Sequence, residues 1–238
     1  MSPVGPDEVR LVVLAGGRGS RLGDLTKSNP KPLIAIGDQP ILWHILTGYA
    51  AAGVRSAVIT VGYLGEQISA RFRNTCEVEV VDTGLTTGTG GRLRRVAPRI
   101  PGQIFCLTYG DAVSDVPIAD VIKFHLEHEK IATLTAVNPP GRFGSLDLTG
   151  DQVVGFAEKR RPDNEWINGG FMVFRRDIFE FIEGDSCSLE SDVLGRLAAQ
   201  GELMAYRHAG FWQCMDTASE AEYLNRLWDS GNAPWRTW

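Results

Sequence analysis

Apolar residues arrive along this chain in short blocks with two different rhythms. Leu11-Val12-Val13-Leu14-Ala15 is an unbroken apolar run that ends in glycines, the pattern of a parallel strand buried on both faces. From Pro40 to Ala52, Ile41, Leu42, Ile45, Leu46 and Tyr49 share one helical stripe, and Gly53 closes it. Ala57–Val61 predicts a second strand, Gly65–Asn74 a short helix, Val78–Val81 a third strand and Ile104–Thr108 a fourth. A helix over Ile118–Glu129 precedes a strand over Ala132–Val137. This alternation predicts an α/β fold, Rossmann-like, with a mostly parallel, doubly wound central sheet.

After Gly144 the rhythm changes. Ser145–Leu148 and Val153–Ala157 flank Thr149-Gly150-Asp151-Gln152, which predicts an antiparallel hairpin. Asn168–Phe174 reads as another strand and Ala218–Ser230 as a closing helix, so the C-terminal part carries mixed strands. With no repeat or Gly/Ser linker, residues 1–238 read as one domain: about 1–140 as one half and about 141–238 as the other.

Composition narrows the possibilities. An apolar fraction of 43% with 22% charged residues excludes disorder for the bulk of the chain. A net charge of −5 argues against a nucleic-acid surface, while leaving room for a local cationic pocket. The Leu11–Ala15 run is far below the roughly 20 residues that span a bilayer, and Met1–Arg10 has no apolar core of a signal peptide. Cys76, Cys106, Cys187 and Cys214 form no CxxC, so reduced thiols in a cytoplasm are expected.

The chemistry begins at Leu14-Ala15-Gly16-Gly17-Arg18-Gly19-Ser20-Arg21-Leu22. Glycines let backbone amides approach an anion closely. GxGxxG would need glycine at Leu22, and GxxxxGK[ST] would need it at Arg21 or Leu22. What remains is a glycine loop with Arg18 and Arg21, followed by Lys31 between Pro30 and Pro32. A tight strand exit with solvated arginines is the plain alternative. The clustered cations favour a phosphate site. Asp111, just past a strand end, reads as either a turn residue or a metal ligand, and Asp216, before Thr217, as either a helix N-cap or a metal ligand.

LAGGRGSRL followed by KSNPKPL resembles the signature of sugar-nucleotide pyrophosphorylases, nucleotidylyltransferases acting on sugar 1-phosphates. GDQPILWH, TGGRL, TYGD, PPGRFG, INGG, GELMA, GFWQCMDT and APWRTW extend the resemblance over nearly the whole chain, toward the glucose-1-phosphate cytidylyltransferase branch. The chain departs from that pattern in Ser20 for threonine, Ala112 after Asp111, Arg160 after Glu158-Lys159, and a short segment at Phe72–Val80 where the family carries an insert.

The resemblance implies transfer of a cytidylyl group from CTP to a sugar 1-phosphate, with Mg2+ as cofactor and a homo-oligomer as the assembly. It implies that Leu14, Ala15, Gly16, Gly17, Gly19, Ser20, Arg21, Lys31, Gly110 and Asp111 bind the nucleotide. Thr89-Gly90-Gly91 reads as a second glycine-rich loop under its base or sugar. Arg21, Lys31 and Asp111 are the expected catalytic residues, and Asp111 and Asp216 the metal ligands. Gly144, Glu158, Lys159, Asn168, Gly169 and Gly170 are the expected acceptor residues, although glycines inside a strand also read as a bulge. Two rivals are the same chemistry with another nucleotide or a non-hexose phosphate or phosphonate, and a non-catalytic nucleotide-sensing module. His125 and His128 read as solvated, and His44, Trp228, Trp235 and Trp238 as packing residues.

Overall fold

The computed structural model describes residues 9–19, 22, 26, 28–75, 77–139, 145–149, 152–157 and 165–238. Along the chain these form β1 (Arg10–Leu14), β2 (Ala35–Ile36), β3 (Gln39–Pro40), α1 (Ile41–Ala51), β4 (Ala57–Val61), α2 (Gly65–Phe72), β5 (Val78–Asp82) and α3 (Thr89–Val96). Next come β6 (Ile104–Tyr109), β7 (Ala112–Ser114), α4 (Ile118–His128), β8 (Ala132–Val137), β9 (Ser145–Thr149), β10 (Gln152–Ala157) and β11 (Ile167–Arg175). The chain continues through α5 (Gly195–Ala199), β12 (Leu203–His208), β13 (Trp212–Cys214) and α6 (Ala218–Asp229). A π-helical turn, Leu189–Leu194, runs directly into α5.

Seven strands form the central sheet in the order β12-β8-β11-β6-β1-β4-β5. Only β11 runs against its neighbours, pairing antiparallel with β6 and β8; every other pair in this sheet is parallel. Strand alternation explains the unbroken apolar run. Leu11 and Val13 enter one apolar layer with Ile41 and Ile45 of α1, while Val12 and Leu14 enter the other with Leu93 and Val96 of α3. The strand order reverses at β1, which lies between β4 and β6. A crevice beyond the carboxyl ends of β1 and β6 is where open α/β sheets bind ligands.

Several expectations are corrected. Thr89-Gly90-Gly91 is no loop but the first turn of α3. Its glycines are dictated by packing: a Cβ on Gly88, Gly90 or Gly91 would run into the backbone of Asp185 to Cys187. His125 is not solvated but 1% exposed; its Nδ1 pairs with Thr133 Oγ1 at 2.9 Å, and His128 Nε2 meets the same oxygen at 2.7 Å. As read, the C-terminal part carries mixed strands: β11 and β12 join the central sheet, one antiparallel and one parallel, while the β9–β10 hairpin stands as its own two-stranded sheet. As read, His44 is buried, with Nε2 at 3.0 Å from the Ile36 carbonyl, and Trp235 is buried beside it. Among the described residues, no helix is long and apolar enough to cross a membrane.

Candidate active site

The chain leaves β1 through Ala15, whose N–H donates to Thr60 O, and Gly110 N–H donates to Leu14 O. These bonds hold two strand exits side by side. Arg92, on the buried face of α3, ties the glycine loop to the ends of β4 and β5: Nη1 donates to Val61 O at 2.9 Å and Thr83 Oγ1 at 2.7 Å, and Nη2 to Gly16 O at 3.3 Å. A Cβ on Gly16 would overlap that guanidinium. Gly19 adopts φ +61°, a left-handed conformation that favours glycine. Gly17 differs from both: its φ lies outside the left-handed range, and a Cβ there would meet no atom of the described residues within 4 Å. Among the described residues, packing does not require glycine at 17, and the position lines the cleft.

Lys31 begins a single 3-10 turn, Lys31–Leu33, between Pro30 and Pro32. The turn aims its side chain inward, where Nζ lies 2.6 Å from Asp111 Oδ2 and 2.5 Å from Asp216 Oδ1. Burial works to lower the Lys31 pKa, but the two carboxylates outweigh it and hold the ammonium above its ordinary value. Asp111 sits in the turn between β6 and β7, and its carbonyl accepts from Met215 N–H at 2.8 Å, which brings Asp216 alongside. The N-cap of α6 is Thr217, locked in a reciprocal capping box with Glu220. The Asp216 carboxylate is therefore not the helix cap and is turned to Lys31.

Around this cluster opens a cleft of about 490 Å³. Leu14, Ala15, Gly16, Gly17, Gly19, Lys31, Thr89, Gly110 and Asp111 all line it, as do Arg18, Leu85, Thr87, Arg92 and Tyr109. Gly90 and Gly91 do not: their N–H groups donate to Cys187 O. Neither do Asn168, Gly169 and Gly170, which form a β-bulge where the β11–β8 register shifts between Asn168 and Met172. Asn168 Oδ1 accepts from Gly170 N–H at 3.0 Å, Gly170 has φ +83°, and the Tyr109 ring packs where its Cβ would stand. Ser20, Arg21, Gly144, Glu158 and Lys159 lie outside the described residues.

Asp111 on the cleft wall, with Asp216 joined to it through Lys31 but not itself lining the cleft, suits Mg2+, which takes one or two carboxylates and completes its shell with phosphate oxygens and water. Among the described residues no group of three or more His, Cys, Asp or Glu forms a ligand cluster. The donor set thus fits an ion held jointly by protein and substrate. Sequence reasoning missed two residues that organise the cleft. Arg92 carried a signal, an arginine on the helix face shared with buried Leu93 and Val96. Glu190, which accepts from Thr89 Oγ1 and the Tyr109 hydroxyl at 2.6 Å each, carried none.

A sequence profile of the nucleotidyl transferase family matches residues 10–225. A glucose-1-phosphate cytidylyltransferase of Salmonella typhimurium is 43% identical over 256 aligned residues, covering 97% of this chain and all of that protein. A probable glucose-1-phosphate cytidylyltransferase of Bacillus subtilis is 32% identical with the same coverage. A mannose-1-phosphate guanylyltransferase of Mycobacterium tuberculosis is 32% identical over 90% of this chain and 62% of its own length. Among solved structures, HddC from Yersinia pseudotuberculosis complexed with GMP-PN superposes with a TM-score of 0.76 at 23% identity, over 92% of this chain and 99% of that one, a likeness of fold. The chain belongs to the nucleotidyl transferase family and is an enzyme.

Proposed function

We propose that this enzyme transfers the cytidylyl group of CTP to a sugar 1-phosphate, glucose 1-phosphate first among them, releasing pyrophosphate. That the acceptor is a sugar 1-phosphate is supported by full-length relatives named for glucose 1-phosphate and by partial ones named for mannose 1-phosphate. The choice of CTP is supported by the cytidylyltransferase likeness over 97% of the chain. The observation that carries the reading is the convergence of Lys31, Asp111 and Asp216 beside the glycine loop. A sensing module would have no need of that arrangement.

In this reading the acceptor phosphate oxygen attacks the α-phosphorus in line and pyrophosphate departs. No covalent enzyme intermediate is needed, so orientation and charge stabilisation supply the rate. Gly17 and Gly19 let the backbone close on the triphosphate, and Arg92 fixes the loop's position. Asp111 and Asp216 would hold Mg2+, which neutralises charge gathering on the phosphates. Lys31 holds both carboxylates in register and supplies a positive charge at the reacting end of the cleft. The acceptor roles of Gly144, Glu158 and Lys159, and that of Arg21 at the leaving pyrophosphate, belong to the same proposal. A cytoplasmic compartment is part of it too, supported by free Cys106 and Cys187.

The test is pyrophosphate release from CTP, UTP, dTTP, ATP and GTP, each with a panel of sugar 1-phosphates. CTP with glucose 1-phosphate is expected to give the highest kcat/KM. A purine triphosphate turned over at least as fast would sink the nucleotide assignment.

A further inference from the structure

Thr89 opens α3, Tyr109 closes β6, and both line the cleft. Glu190 bridges them from the π-helical turn, exposed to solvent, and is not among the residues lining the cleft. Its Oε1 accepts from the Tyr109 hydroxyl at 2.6 Å, and its Oε2 accepts from Thr89 Oγ1 at 2.6 Å and Ser188 Oγ at 3.1 Å. Thr89 Oγ1 in turn accepts from Leu189 N–H at 2.8 Å.

An ionised carboxylate only accepts hydrogen bonds, whereas a hydroxyl has one proton and two lone pairs. The single protons of Thr89 and Tyr109 are therefore both committed to Glu190, and neither is available to a ligand. What each hydroxyl can still offer the cleft is a lone pair. Burial works to raise the Glu190 pKa, but the bonds from Thr89, Tyr109 and Ser188 outweigh it and hold the group below the ordinary glutamate value, so it stays ionised. A phenol ordinarily titrates near 10, so the Tyr109 hydroxyl donates to the carboxylate 2.6 Å away.

We infer that Glu190 is a positioning and specificity-determining residue. It locks the Thr89 and Tyr109 hydroxyls as acceptors, so this stretch of cleft wall takes an N–H or O–H group of a substrate and rejects a carbonyl or ether oxygen there. The inference rests on the nucleotidyl-transfer reading. The donor has two possible sources, an exocyclic amino group on the base or a hydroxyl on one of the two sugars. Sites built to bond a specific substrate group discriminate strongly against an analogue lacking it, because their own polar groups are left unpaired.

The experiment measures kcat/KM for three pairs that differ in one donor: CTP against UTP, CTP against dCTP, and glucose 1-phosphate against its 2-deoxy analogue. Each pair is run with the wild type, Glu190→Gln, Thr89→Val and Tyr109→Phe. A glutamine amide both donates and accepts, so the hydroxyls regain the freedom to turn. In Glu190→Gln the preference within at least one pair is expected to fall about tenfold, with the melting temperature held. Thr89→Val or Tyr109→Phe should flatten the same pair, which identifies both the hydroxyl and the source of the donor. A merely structural role would lower both members of every pair alike. Three unchanged ratios in Glu190→Gln, with an active wild type, overturn this inference alone. A wild type silent with every substrate pair overturns the parent reading and this inference with it. If Glu190→Gln fails to fold, unchanged ratios in both Thr89→Val and Tyr109→Phe overturn it.

Discussion

The Lys31 ammonium lies 2.5 Å from Asp216 Oδ1, a bond that closes a sequence separation of 185 residues. The same ammonium reaches Asp111 Oδ2 at 2.6 Å. One cation thus joins the exit of β1, the exit of β6 and the start of α6. Two carboxylates gathered on one ammonium suit a divalent cation brought by the substrate.

Replacing Lys31 with methionine should remove a charge that compensates this pair. The loss of stability is expected to be roughly 2 kcal/mol, below the 3–5 of a fully buried pair, because the Asp111 side chain is 32% exposed. Magnesium should then raise the melting temperature of Lys31→Met more than that of the wild type, and kcat should fall by about two orders of magnitude. Equal magnesium shifts in the two proteins would show that Lys31 does not share its carboxylates with the ion.

Asp216→Asn should keep the fold, since the Thr217–Glu220 capping box does not involve the Asp216 side chain. Turnover should fall steeply, most of all at limiting magnesium, because amide oxygens bind the ion more weakly than carboxylates. A magnesium titration of activity checks this. Near wild-type turnover at limiting magnesium would make Asp216 a structural partner of Lys31 alone.

The glycine loop separates packing from ligand approach. Gly17→Ala should leave the melting temperature unchanged and raise KM for the nucleotide about tenfold, since the new methyl group meets no described residue and faces the cleft. Gly16→Ala should do both harms, because its methyl group displaces an arginine fixed by three hydrogen bonds. Paired thermal melts and nucleotide KM values decide the matter. An unchanged KM in Gly17→Ala would remove that position from the site.

His125 sets an acid limit on stability. Burial, reinforced by the neighbouring His128 and Arg175, lowers its pKa to about 3, and its Nε2 has no hydrogen-bond partner among the described residues. The folded state therefore keeps it neutral, while the unfolded chain takes up a proton below about 6.5. Stability is expected to fall as pH drops through that value, by about 2 kcal/mol between pH 7 and pH 5 from this group alone. Urea melts of the wild type and His125→Gln across that range measure it. Identical pH slopes in the two proteins would rule His125 out as the cause.

The sequence by itself determined the strands that are apolar on both faces. β4 and β8 span the predicted residues, and β1 is displaced by one, because burial between two helical layers demands a continuous apolar run that little else in a soluble chain produces. It also determined the family, and it singled out a glycine loop and two aspartates that the fold brings together. Other features were decided only by tertiary structure. Gly90 and Gly91 have no intrinsic preference for a helix and became one because Asp185 to Cys187 lies against them, leaving no room for a side chain. β12 alternates too weakly to be read as a strand and is formed by pairing with β8 at the sheet edge. His125 continues the buried stripe of Ile118, Val121 and Ile122 on α4, and docking onto β8 supplies its partner Thr133. The bonds of Lys31 to Asp216 and of Glu190 to Tyr109 join residues far apart in sequence, and local spacing carries no information about a contact that exists only once the sheet is assembled.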